Sequence, residues 1–272
     1  MLHEIYPSVL DNHFEKREPK DDALCISINN GAILLVEEEE ICFPRYGDIK
    51  FEVGSYVYLF SLDETEFYMV EMLSGDILGC SYMPMSVFRK MKPKNYLYAG
   101  MTAYHLYVWY RDNRFCGRCG GKLVHSDKER MLHCDKCGNS IYPKIMPAVI
   151  VAVTKGDSIL VTAYRDRPYK GYALIAGFTE IGETAEETVA REVMEEAGIR
   201  VKNIRYYASQ PWGIAQDLLL GYVCEADGDD EIIIDENELS FAKWIKRSEL
   251  EVKNEDVSMT NDLLVKFKEG KI

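Results

Sequence analysis

The sequence predicts an α+β protein of three parts. Three observations carry that expectation: short apolar runs bounded by glycine and charge before residue 110, four cysteines in two matched pairs near residue 125, and a strand pair followed by a capped acidic helix after residue 147. The chain has 272 residues, 47 % of them apolar and 28 % charged, the proportions of a folded globular protein. That length suits about two larger units. The longest apolar run is Ala148–Val153, six residues, well short of the roughly 20 that a spanning helix needs. No membrane span is expected. The N-terminus shows no basic flank and no apolar stretch of leader length, so a cytoplasmic protein is expected. The net charge of −13 argues against broad nucleic-acid or anionic-membrane binding, and still allows a small phosphorylated ligand held through a metal ion.

In the first part, residues 1–110, Ala32–Val36, Tyr56–Phe60 and Phe67–Val70 read as strands. Gly75 and Gly79 read as turns, and Glu37–Glu40 as a solvated turn. Ala103, Leu106, Tyr107 and Tyr110 recur at helical spacing within Ala99–Tyr110. The five histidines, at 3, 13, 105, 125 and 133, are scattered and read as core or surface residues. Cys25, Cys42, Cys80 and Cys224 read as small apolar residues.

The second part, 111–142, is set by Cys116-Gly-Arg-Cys119 and Cys134-Asp-Lys-Cys137. Paired CxxC knuckles in a reducing compartment predict a tetrahedral zinc ribbon holding one Zn²⁺ per chain. Gly117, Gly120 and Gly138 would let the backbone turn tightly around the metal. A closed tetrathiolate shell leaves no open position, so the metal is structural.

The third part is 143–272. Ala148–Thr154 reads as a buried strand, and Ile159–Ala163 as its partner across Lys155–Ser158. Thr184 and Glu187 form a capping box, and Gly198 can end the helix in the left-handed conformation. Val189, Val193 and Ala197, with Ala190 beside them, form the expected buried stripe. Glu192, Glu195 and Glu196 share another face at i, i+3 and i+4. Carboxylates so close repel one another, and a hard divalent cation such as Mg²⁺ relieves that cost. Glu183 adds a fourth carboxylate, which Arg191 can hold by an ion pair. A merely solvated acidic face is the competing reading. Against it stands the full spacing: Gly177, five residues, Glu183, seven residues, Arg191-Glu192-Val193, one residue, Glu195-Glu196, one residue, Gly198-Ile199. Seven fixed positions match by chance in on the order of one chain in 10⁵.

This spacing resembles an intact Nudix box. The ribbon directly before it, the approach Trp109 … Phe115-Cys-Gly-Arg-Cys119-Gly, and Ser209-Gln-Pro-Trp212 resemble the NADH pyrophosphatase branch of that family. The resemblance implies an α-β-α sandwich around a mixed sheet, and hydrolysis of a nucleoside diphosphate linked to another group, with Mg²⁺ or Mn²⁺ on the helix glutamates. By position it makes Glu192 and Glu196 metal ligands, Glu195 a ligand or base, the Ala176 carbonyl and Glu238 further ligands, and Arg191 and Glu183 their supports. It places Glu129, Tyr142 and Thr260 at the substrate, with the run Gln210-Pro211-Trp212-Gly213-Ile214-Ala215-Gln216-Asp217. Phe178 and Trp212 offer flat faces for a base or nicotinamide ring. The implied activity is cleavage of NAD(H) to NMN(H) and AMP in a homodimer. ADP-ribose or another dinucleotide, NAD-cap removal from RNA (not favoured by the net charge), and a nucleotide sensor are the alternatives. After Trp212 the sequence departs from the family's Pro-Phe-Pro-x-Ser, reading Gly213-Ile-Ala-Gln-Asp217. With two prolines and an aromatic ring gone, a more mobile loop and a flatter substrate profile are expected.

Overall fold

The computed structural model describes residues 1–50, 53–72, 77–89, 91–165, 171–228, 231–253 and 255–272. Gly75 lies outside them. Backbone contacts divide the chain into two compact units. One holds residues 3–144 with 212–216; the other holds 1–2, 145–211 and 217–272.

Among the described residues, the first unit contains three small sheets. Strands β1 (Leu10–Asp11), β2 (Leu24–Ile26), β5 (Val53–Leu62) and β6 (Thr65–Met72) form one, in the order β1-β5-β6-β2. Strands β3 (Ile28–Asn29), β4 (Ala32–Val36) and β7 (Cys80–Pro84) form a second. The three apolar runs expected to be strands fall in β4, β5 and β6, and Glu37–Glu40 is exposed. Gly79 takes a positive φ of 76°, as a turn glycine should. Phe43, Phe60, Phe67 and Phe88 are fully buried and supply much of the core. Helix α1 (Lys94–Asp112) is longer than expected and buries Ala103, Leu106 and Tyr110. Three two-residue strands, β8 (Val124–His125), β9 (Leu132–His133) and β10 (Ser140–Ile141), make the ribbon sheet.

The second unit is a mixed sheet between two helices. Its strands are β11 (Met146–Lys155), β12 (Ser158–Tyr164), β13 (Ile175–Phe178), β14 (Val201–Trp212), β15 (Asp217–Ala226) and β16 (Leu239–Lys246). The order is β14-β15-β11-β12-β16, with β13 also paired to β11. β11 runs parallel to β15 and antiparallel to β12 and β13. The expected hairpin is present, with Thr154 opposite Ile159 and Lys155 opposite Ser158, so the strands run one residue further into the turn on each side than expected.

Helix α2 (Ala185–Ala197) covers one face, packing Val189, Val193 and Ala197 on Val149, Val151 and Tyr222. Ala190 is exposed instead of buried, and Thr188 is buried in its place. The contact face is rotated toward the N-terminal side of the stripe, which the apolar period alone does not reveal. Helix α3 (Met259–Lys268) covers the other face with Met259, Leu263, Leu264 and Phe267. The α-β-α sandwich is therefore formed. Among the described residues no helix is long and apolar enough to cross a membrane.

Candidate functional site

Local chemistry sets the start of α2. The Thr184 hydroxyl accepts from the Glu187 backbone N–H at 3.2 Å, and the Glu187 carboxylate accepts from the Thr184 N–H at 2.8 Å. Both halves of the capping box are thus made. Gly198 ends the helix at φ 69°, its N–H donating to the Met194 carbonyl. The helix is pinned at both ends, so the face carrying its glutamates is fixed.

Two of those glutamates are not solvated surface. Glu196 is 2 % exposed and Glu192 is 9 % exposed. Burying carboxylates is costly unless something charged compensates them. Arg191 supplies part of that. Its Nε donates to Glu183 at 2.6 Å, Nη1 to Glu192 at 2.7 Å and to Glu195 at 2.9 Å, and Nη2 to Glu183 at 2.9 Å and to the Phe178 carbonyl at 3.0 Å. One guanidinium thereby joins loop, helix and the end of β13. Its hydrogen bonds to Glu183 and the neighbouring glutamates raise its own pKa.

The carboxylates respond differently. The Arg191 hydrogen bond pulls Glu183 down to about 2. Burial pushes Glu192 above the usual carboxylate range, with Arg191 opposing and the charges on Glu195 and Glu238 adding to the rise. Glu238 is therefore near enough to act on Glu192, although its side chain is exposed. Linkage gives a testable consequence. A depressed pKa contributes stability that is complete above the unfolded value of 4.5 and lost as pH falls toward 2. Thermal melts of the wild type should therefore lose more between pH 4.5 and 2 than melts of Glu183→Gln. Parallel curves would show that the Glu183–Arg191 pair contributes nothing.

Gly177 explains itself by space. A Cβ built there would lie 2.0 Å from Glu192 Cδ and 2.1 Å from Oε1, so the carboxylate rests against bare backbone. Beside it, Ala176 N–H donates to the Tyr164 hydroxyl at 3.1 Å, and that hydroxyl lies 3.3 Å from the Ala176 carbonyl. Tyr164 and Thr188 (whose hydroxyl donates to Glu183 at 3.0 Å) hold the site without having been singled out in the sequence. Neither belongs to a spacing rule; both are found through their partners.

The donor set suits a hard divalent cation. Carboxylates at Glu192, Glu195 and Glu196 and the Ala176 carbonyl offer hard oxygen atoms, the donor type that Mg²⁺ and Mn²⁺ take. A cradle that excludes even a methyl group at Gly177 keeps one of those carboxylates in place.

The ribbon cysteines meet as expected. Among the described residues, the sulfurs of Cys116, Cys119, Cys134 and Cys137 all lie within 4.8 Å of one another. Cys116 and Cys137 are 3.6 Å apart, and Cys119 and Cys134 3.5 Å. Zinc–thiolate bonds of about 2.3 Å in a tetrahedron require roughly 3.8 Å, so four thiolates here fit one zinc. Gly120 and Gly138 turn their knuckles at φ 69° and 70°; Gly117 has no such φ and is not needed for the turn. Replacing Cys116 by Ser should lower the zinc content from one per chain and cost about 4 kcal/mol or more of stability. Elemental analysis and melts check this, and unchanged zinc would overturn it.

The remaining substrate-site candidates lie on several elements of the two units. Tyr142 donates to Glu129 at 3.3 Å within the ribbon unit. Thr260 lies in the first turn of α3. Phe178 is half exposed at the end of β13, and Trp212 ends β14. Gln210 is fully buried, and Pro211 is half-buried. Gly213, Ile214, Ala215 and Gln216 form a turn closed by Ala215 N–H to Trp212 and Gln216 N–H to Gly213. A Cβ at Gly213 would lie 2.1 Å from the Met101 carbonyl. The turn is thus packed where looseness was expected, and proline cannot be restored at 213. Asp217, which the resemblance puts in the run at the substrate, is the buried first residue of β15.

Residues 144–263 match the family model described as the NUDIX domain, and residues 111–142 that described as the NADH pyrophosphatase zinc ribbon domain. The NAD-capped RNA hydrolase NudC of Escherichia coli O9:H4 (strain HS) is 43 % identical over 142 residues, 52 % of this chain and 55 % of the relative. That of Citrobacter koseri is 44 % identical over the same shares. The chain spans about half the length of the curated relatives it matches. A crystal structure of a NUDIX hydrolase from Nitrosomonas europaea superposes with a TM-score of 0.51 at 23 % identity, covering 58 % of this chain and 92 % of that one, a likeness of fold.

Proposed function

We propose, for a chain that carries a Nudix domain behind an NADH pyrophosphatase zinc ribbon, that it hydrolyses the diphosphate bond of NAD(H) to NMN(H) and AMP. The observation that carries this reading is the Arg191-centred cluster, in which one arginine organises Glu183, Glu192 and Glu195 on a helix that also buries Glu196. Glu192, Glu196 and the Ala176 carbonyl would hold Mg²⁺ or Mn²⁺, with Glu195 and Glu238 nearby as further carboxylates. The chemistry such a cation would supply there is neutralisation of the diphosphate charge and acidification of a bound water.

The chain's own residues do the rest. Arg191 holds the loop through Glu183 and the Phe178 carbonyl, so the helix and β13 keep one spacing. Glu195, the most exposed of the three helix glutamates, takes the proton of the attacking water in this reading. Phe178 and Trp212 each offer a ring face for a base or nicotinamide ring. Glu129, Tyr142 and Thr260 complete the substrate contacts in this reading.

Purified protein with Mg²⁺ or Mn²⁺ should release AMP and NMNH from NADH in equal amounts. A panel of NAD⁺, ADP-ribose, diadenosine polyphosphates and NAD-capped RNA ranks the substrates. The curated relatives' name favours one second reading, removal of an NAD cap from RNA, which breaks the same bond. The net charge of −13 weighs against wide RNA contact, so cap removal should depend little on RNA length. Binding without turnover would favour a sensor instead. A cytoplasmic homodimer completes the proposal; light scattering near twice 31.2 kDa checks the dimer.

A further inference from the structure

The turn of the ribbon hairpin carries an arginine whose ionisable neighbours are phenols, not carboxylates. Arg130 stands between β8 and β9, and its Nη1 donates to the Asn12 side-chain oxygen at 2.7 Å and to the Asn12 carbonyl at 3.4 Å. Its Nη2 donates to the Leu59 carbonyl. Nε is buried and, among the described residues, meets no acceptor. Burial lowers the pKa of the guanidinium, and the groups that oppose this are Tyr110 and Tyr58. A charge drawn out of water without an anion beside it is costly, so its presence here calls for a reason.

The acceptors belong to the four-stranded sheet formed by the start of the chain. Leu59 lies on β5, and Asn12 directly follows β1, which pairs with β5 through Leu10–Leu62 and Asp11–Ser61. The guanidinium thus spans two neighbouring strands, a task its rigid fork suits and a single ammonium does not. Two lesser contacts run beside it. Lys16 pairs with Asp127 at 2.6 Å, both exposed, and such a pair contributes little. His125 stacks on Tyr110 of α1 with ring centres 5.0 Å apart. The backbone closes around the same residue. The Met131 N–H donates to the Glu129 carbonyl at 2.8 Å, and the Ser126 N–H to the Met131 carbonyl at 2.9 Å. Arg130 is therefore the centre of a three-residue turn that begins at Glu129. The Glu129 carboxylate accepts from the Tyr142 hydroxyl at 3.3 Å.

We propose that Arg130 is a positioning residue for substrate binding: it clamps the hairpin turn onto β1 and β5 and so fixes the Glu129 carboxylate, with Tyr142, for the incoming dinucleotide. This rests on the reading above, in which Glu129 and Tyr142 contact the substrate. The Glu129 side chain is exposed. An exposed carboxylate on an untethered turn has to be ordered as the ligand binds, and that cost weakens affinity. With Arg130 in place the ordering is complete at folding. The first sheet, through Asn12 and the Leu59 carbonyl, is the anchor, which gives residues 1–110 a part in binding. The effect falls on KM and not on the chemical step.

The test measures KM and kcat for NADH in the wild type, Arg130→Met, Asn12→Ala and Glu129→Gln, and in each of the first two changes combined with Glu129→Gln. Zinc content and a thermal melt accompany every variant. Arg130→Met should raise KM by about 10-fold, the scale of one coupled contact, and leave kcat within about twofold. Asn12→Ala removes one acceptor of the fork and should raise KM by a smaller factor; it serves if Arg130→Met fails to fold. With Glu129→Gln already present, either change should add less than about twofold to KM, because the group being positioned is gone. A KM unmoved by both changes while the melts fall, a rise just as large with Glu129→Gln present, or a rise that comes with lost zinc reduces Arg130 to a tie within the fold. Each of these overturns the assignment while leaving dinucleotide hydrolysis intact. A wild type that releases no AMP from NADH overturns the proposed function and this assignment with it.

Discussion

Changing Glu196 to Gln should lower turnover by about 10²–10⁴-fold while the protein still melts within a few degrees of the wild type. The amide keeps the shape of the side chain, so packing around it at 2 % exposure is preserved. What disappears is the charge, and a buried carboxylate is costly to keep unless it serves a cation. Stability should hold or rise while activity falls. Glu195→Gln should also lose most activity, with less effect on the melt because that side chain is exposed. Initial rates with NADH at saturating Mg²⁺, beside calorimetric melts, separate the two effects. A Glu196→Gln enzyme turning over near the wild-type rate would reduce the acidic face to surface charge.

Gly177→Ala should damage both stability and catalysis. The new methyl would sit 2.0 Å from Glu192 Cδ, where no real contact can exist. Either the strand or the carboxylate must move. Overpacking of this kind costs about 1–3 kcal/mol. A displacement near 1 Å of a group that positions reactants costs roughly 10²-fold in rate. Gly177 is not among the glycines of positive φ, so the effect comes from space and not from backbone strain. Pairing the change with Glu192→Asp, which shortens the side chain, should recover part of the melting temperature and little of the rate. Full activity in Gly177→Ala would show that Glu192 need not rest on β13.

What could be read in advance divides along physical lines. The zinc cysteines and the helix glutamates were legible because their chemistry demands particular atoms at particular spacings along one segment. The capping box at Thr184 and the left-handed end at Gly198 are equally local. The strand pair across Gly156 followed from composition and a turn. Ala190 was misplaced because the burial of a helix face is decided by what packs on it, and period alone leaves a rotation of one position open. Gly213 was read as a loosened loop because its partner, the Met101 carbonyl, lies more than a hundred residues away. Asp217 was grouped with the mobile run after Trp212, whereas it opens β15, paired with Met146 of a strand about 70 residues earlier. Tyr164 and Thr188 carry no motif; their hydroxyls matter because of where the fold puts Ala176 and Glu183.

Strand β11 carries the arrangement. It pairs with β15 from Met146–Asp217 to Thr154–Glu225, with β13 from Ala148–Phe178 to Val151–Ile175, and with β12 at its far end. A single residue inserted between 147 and 153 would shift these partnerships at once and turn the following side chains to the opposite face. Genetic drift in length is thereby barred from this stretch, and an extra residue survives only where a turn absorbs it, as at the Gly156–Asp157 tip. Tag insertion or chain splitting for engineering should respect the same boundary, since the spacing between Ala176 and Asp217 is measured out along this strand.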